Sequence, residues 1–77
     1  MPKKFRTKDL YEASSLMAKK QKLLSLEKDT NFYWFVFDDW ETSSQISDLF
    51  WRNELTILAK DYADAIRTLK DRLFARN

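Results

Sequence analysis

The sequence predicts an α+β fold: helix, β-hairpin, helix, short extended segment, then a long C-terminal helix packed on a small antiparallel sheet. Three observations carry this expectation. The hydrophobic period changes from helical to alternating near Lys22, an unbroken apolar run spans Phe32 to Phe37, and a stripe at helical spacing runs from Tyr62 to Leu73. With 77 residues, 44% of them apolar, the chain has material for one core. A domain of this size buries only about 60% of the surface its unfolded chain exposes. Twelve large rings (Phe 6, Trp 3, Tyr 3) are an economical way to stabilise so small an interior.

Residues 1–8 read as a basic N-terminal arm and 9–77 as the domain. Asp9 followed by Glu12 has the spacing of a capping box and predicts a helix from about residue 9 to 20. Leu10, Ala13 and Met17 share one face of it, with Leu16 beside them. Leu24 and Leu26 then alternate with Ser25 and Glu27, and Asp29-Thr30-Asn31 supplies turn residues. Strands are therefore expected near 22–28 and 32–38. The second carries Phe32, Trp34 and Val36 on one face and Tyr33, Phe35 and Phe37 on the other, so both faces are expected to be covered. Asp39 is placed to cap a helix of about 40–52 with Ile46, Leu49 and Phe50 on its apolar side. Asn53 is expected to close that helix in a left-handed turn. Leu55-Thr56-Ile57 fits either a short third strand or the first turn of the last helix and is read as extended, and a final helix of about 59–75 buries Tyr62, Ile66, Leu69 and Leu73.

Composition closes many chemistries. The chain has no Cys, no His and no Gly. That excludes disulfides, thiolate zinc sites, cysteine nucleophiles, histidine bases and ligands, and the glycine-rich loops that cradle phosphates. The acids Asp38, Asp39, Glu41 and Asp48 gather near a strand end, but nothing beside them completes a phosphoryl-transfer site. Capping and helix-dipole complementarity account for them more simply. No enzyme, cofactor, metal or small-molecule substrate is expected. With no membrane-spanning or signal-like run, a cytoplasmic protein is the default.

The segments Phe5-Arg6-Thr7-Lys8-Asp9-Leu10-Tyr11, Trp34-Phe35-Val36-Phe37-Asp38-Asp39, Phe50-Trp51, Asn53-Glu54 and Ala59 through Asp71 resemble a family of small bacterial, phage and prophage proteins of unknown function. The resemblance spans nearly the whole chain and is most specific in the last segment. It implies a small mixed α and β domain from a mobile element and transfers no catalytic residue. Members of that family commonly place glycine where this chain has Gln21 and Asn53, and a polar cap where it has Leu58.

The net charge of +2 conceals an uneven distribution. Residues 1–28 hold eight Lys or Arg against three acids, whereas 29–77 hold six against nine. Lys3, Lys4, Arg6, Lys8, Lys19, Lys20 and Lys22 are accordingly the candidate contacts to DNA or RNA. Lys60, Asp64, Arg67 and Asp71 follow one another at helical spacing as a solvated ion-pair ladder, not a basic stripe. Tyr33, Phe35, Phe37, Trp40 and Trp51 are the candidate protein interface, where a second copy of the chain or another protein would bury exposed rings. The expectation is a non-enzymatic accessory module of a mobile element that contacts nucleic acid through its basic first third. The alternative is a protein-interaction module, a homodimer or an inhibitor of a host factor, using the aromatics and the acidic middle.

Overall fold

The computed structural model describes residues 3–76. Six elements follow in order: β1 (Phe5–Thr7), α1 (Leu10–Ala18), β2 (Leu23–Lys28), β3 (Tyr33–Phe37), α2 (Trp40–Trp51) and α3 (Ala59–Arg76). The α+β class, the hairpin and the three helices are as the sequence predicts. The sheet is antiparallel throughout, in the order β1-β3-β2, so the aromatic run forms the central strand. The overall extents of the molecule are 33 × 33 × 18 Å, and the short dimension fits one sheet beneath one layer of helices about 10–12 Å across.

The core lies between those layers. Ala13 and Leu16 of α1, Ile46 of α2 and Leu69 of α3 join Leu26, Phe35 and Phe37 of the sheet, with Tyr33, Phe5, Leu10, Met17 and Leu73 packed against them. The helices thus cover the face that carries Tyr33, Phe35 and Phe37. Helix α1 sits in the middle and touches both α2 and α3. Its small residues Ala13, Ser14, Ser15 and Ala18 are all buried, which is what close approach from two sides requires. Ser14 and Ser15 satisfy their hydroxyls by donating to the carbonyls of Leu10 (2.8 Å) and Tyr11 (3.0 Å).

Two expectations change. Residues 5–7, assigned by the sequence to a basic arm, form the edge strand β1, with Phe5 opposite Phe37 and Thr7 opposite Phe35. The covering of both sheet faces also fails, because among the described residues the helices lie on one side only. The short segment expected between α2 and α3 is residues 54–58, outside any strand or helix, and Leu55 alone of them reaches the core.

A buried polar cluster ties β1 into the fold. Glu12, only 5% exposed, accepts hydrogen bonds from Thr7 Oγ1 at 2.6 Å and from the Ser47 hydroxyl, joining β1, α1 and α2. The capping box is therefore rearranged. Asp9 caps α1 by accepting from the amides of Tyr11 and Glu12, both at 2.9 Å, while the Asp9 amide donates to Thr7 Oγ1 at 3.1 Å and leaves Glu12 free to point inward.

A chain without glycine still needs left-handed residues. Helix α1 ends with the Lys20 amide on Met17 O and the Gln21 amide on Leu16 O, and α2 ends with Asn53 on Phe50 O and Glu54 on Leu49 O. Both are Schellman endings, with Lys20 (φ 72°) and Asn53 (φ 59°) in the left-handed position. Asn53 is as the sequence predicts. At the first ending it is Lys20, not Gln21, that occupies the place suited to glycine. Asp39 (φ 57°) is also left-handed and caps α2 through a bond from the Thr42 amide at 3.2 Å.

A candidate nucleic-acid interface on the open face of the sheet

Strand alternation decides what the basic N-terminus presents. Phe5 and Thr7 turn toward the core, so Lys4, Arg6 and Lys8, all exposed, fall on the opposite side in a row with about 6–7 Å between neighbours. The same alternation places Trp34 and Val36 of β3, and Ser25 and Glu27 of β2, on that outer face. A bulge between Leu23 and Ser25 adds Leu24, which is partly exposed. Phe32, in the turn just ahead of β3, continues the aromatic line.

Cations and rings interleave on this surface. The Arg6 guanidinium lies 5.9 Å from the Trp34 ring centroid and the Lys8 ammonium 5.0 Å from Phe32, while the Lys3 ammonium lies apart from them, 4.3 Å from Trp40 at the start of α2. Arg6 stands opposite Val36 yet ion-pairs with Glu27 on the far strand, so its side chain crosses the central strand. Val36 beneath it is only 1% exposed although, among the described residues, it lies outside the core cluster that the helices pack on. Phe32 and Trp34 meet edge to face, their centroids 5.3 Å apart and their planes at 74°. The Trp34 indole N–H donates to Asp29 Oδ2 at 3.1 Å, and the Thr30 amide donates to Asp29 Oδ1 at 2.7 Å. These bonds, the backbone one foremost, hold the Asp29 carboxyl below its ordinary value of 3.8. The charged turn thereby fixes the orientation of the indole.

The remaining basic residues are elsewhere. Lys19 reaches toward the carbonyl of Thr56 at 3.5 Å, on the helical side, and Lys20 lines a depression with Asp61 and Asp64 of α3. Lys22 precedes β2 at the end where its carbonyl accepts from the Asp38 amide at 3.0 Å. The seven cations proposed from sequence therefore do not form one patch. On α3, Asp64 binds both Lys60 (3.0 Å) and Arg67 (3.6 Å), the first three members of the ladder the spacing predicts.

The aromatic interface residues divide likewise. Phe35 and Phe37 are core, at 2% and 0% exposure, and present nothing to a partner. Tyr33 packs against the same core. Trp40 and Trp51 do stand exposed, Trp51 edge to face with Phe50. The rings sequence reasoning left out are Phe32 and Trp34, and the only signal for them is that alternation assigns the opposite face to whatever Phe35 and Phe37 are not.

Other features of the surface are less developed. A groove of about 360 Å³ is lined by Ser15, Phe50, Leu55, Ile57 and Tyr62, between α1, the irregular segment and α3. Burial raises the Tyr62 phenol above its ordinary value, against the lowering effect of its hydrogen bond with Ser15. Asp39 accepts from the Thr42 amide, the capping role expected of it, and Asp38 accepts from the Asp39 amide just ahead of the helix. Among the described residues no group of three or more acids is placed to hold a metal ion, and no helix is long and apolar enough to cross a membrane. Comparison with family models, curated proteins and solved structures finds no match, so the functional reading stands on these residues alone.

Proposed function

We propose that the protein is a non-enzymatic module that binds nucleic acid through the open face of its sheet, with Lys4, Arg6 and Lys8 meeting phosphates around Phe32 and Trp34. The observation that carries this reading is the alternation of β1, which turns a run of basic sequence into a row of three cations beside two half-buried rings. Phosphate contacts supply affinity that falls log-linearly with salt, while rings add contact with bases. Glu27 and Asp29 on the same face temper the positive potential, so modest affinity at physiological salt is expected. Lys19, Lys20 and Lys22 contribute to the general field rather than to the contact.

Anisotropy of labelled DNA and RNA, titrated from low to physiological salt, tests it. Three phosphate contacts predict a slope of log affinity against log salt of roughly −2 for single strands. Replacing Lys4, Arg6 and Lys8 together by Glu abolishes binding if the face is the site. Binding that survives this change rejects the assignment.

A second reading has its own observation. Trp51, 60% exposed at the end of α2, and Leu58, 74% exposed at the end of the irregular segment, adjoin groove-lining residues, an arrangement suited to a protein partner. A partner whose binding is lost in Trp51→Ala and kept in the triple charge reversal supports that reading instead.

A further inference from the structure

Resting on the nucleic-acid reading above, we infer that the open face selects single strands, and that Phe32 and Trp34 each take one of two neighbouring unpaired bases. Geometry excludes the duplex first. Reading bases inside a duplex calls for a helix or two-stranded ribbon that enters a groove, whereas these rings lie at the hairpin end of the central strand, on the broad face of a three-stranded sheet. A duplex laid on this face meets cations and touches no base.

The two rings then specify the conformation of the strand. Their planes meet at 74°, so bases stacked on both cannot be parallel to one another as they are in a helix. Only a strand whose bases are free to splay satisfies both rings, and such splaying is how single strands are recognised on sheets. Trp34 is prepared for this role because its indole N–H is already held by Asp29, which leaves the ring face as the variable contact. Arg6 and Lys8 occupy the ring faces in the free protein. An exposed cation–π contact corresponds to roughly a two- to fivefold effect, whereas a stacked base corresponds to roughly five- to 150-fold. Bases therefore displace the cations, and the displaced ammonium and guanidinium turn to the phosphates between the bases.

The test compares three labelled ligands with the intact protein at one low salt concentration: oligothymidine, an abasic sugar-phosphate strand of equal length, and a blunt duplex. Oligothymidine is expected to bind roughly tenfold or more tightly than the abasic strand. Phe32→Ala should remove most of that preference and leave abasic affinity unchanged, with its circular dichroism confirming the fold. The wild-type comparison needs no variant and stands if Phe32→Ala does not fold. Equal affinity for base-bearing and abasic strands, or tighter binding of the duplex, overturns the stacking inference while leaving the phosphate reading intact. Absence of binding to all three overturns both.

Discussion

Arg6 and Glu27 form an ion pair that bridges β1 and β2 across the central strand, with the guanidinium held over Trp34 and the outward face of Val36. Both side chains remain about half exposed, at 53% and 43%, so the pair contributes little to stability, about 0.2–1 kcal/mol. Its larger effect is on the proposed site, where Glu27 competes with phosphate for the same cation. Glu27→Gln should therefore raise affinity for single-stranded nucleic acid several-fold and steepen the salt dependence by about one charge, with a nearly unchanged melting temperature. Anisotropy at two salt concentrations reads both effects. A variant with unaltered affinity would place Arg6 outside the site.

Glu12 carries a different weight, because it is buried and both its oxygens are engaged, one by Thr7 and one by Ser47. Removing a single donor leaves a buried carboxylate under-satisfied, at about 1–3 kcal/mol. Thr7→Val also frees the Asp9 amide, so it should be costlier than Ser47→Ala. Glu12→Ala strands two hydroxyls and opens a void, and should cost about 2–4 kcal/mol, a large share of the stability of so small a domain. Urea denaturation at neutral pH measures all three. An unchanged midpoint in Glu12→Ala would mean the cluster does not hold β1 in place.

Much of this architecture is legible in the sequence because it is local. The apolar faces of α1 and α3 follow from helical spacing, Asp39 and Asn53 mark the ends of α2, and the hairpin follows from the turn residues between two strand-like runs. The edge strand is not legible, since three residues with a cation in the middle carry no periodicity and their partner, β3, lies far along the chain. The inward face of β3 is equally hidden, because both faces are apolar and only the packing of α1 and α3 chooses Phe35 and Phe37 over Trp34. That ambiguity moved the candidate aromatics to the wrong face. Glu12 misleads for a related reason: its spacing from Asp9 fits a local cap, while its actual partners come from β1 and α2.

The absence of glycine leaves strain that substitution can relieve. Lys20 holds φ 72° at the left-handed position of a Schellman ending, where a residue with a Cβ is disfavoured by about 1–2 kcal/mol. Lys20→Gly should therefore stabilise by about 0.5–1 kcal/mol, after glycine's greater freedom in the unfolded chain is set against the relief. Asn53→Gly should gain less, because asparagine tolerates this region. Thermal or denaturant midpoints rank the two. A destabilised Lys20→Gly would show that the lysine side chain contributes more than its backbone costs.

Asp29 links pH to the orientation of Trp34. Its carboxyl titrates below the ordinary 3.8 in the folded protein, chiefly through the Thr30 amide and then through the Trp34 indole. A folded-state value below the unfolded one means that the charged carboxylate favours folding. This contribution is complete above the unfolded value and is lost as the pH falls through the lowered folded value. The difference in stability between the wild type and Asp29→Ala should thus be constant at neutral and mildly acidic pH and shrink below about 3.8. Trp34→Phe removes the second-largest cause, so the Asp29 value should rise yet stay under the ordinary one, because the backbone bond remains. Carboxyl chemical shifts followed by NMR read that titration directly, and the Trp34 indole N–H resonance should move over the same pH range in the wild type. An indole signal indifferent to the titration of Asp29 would show that the bond does not fix the ring.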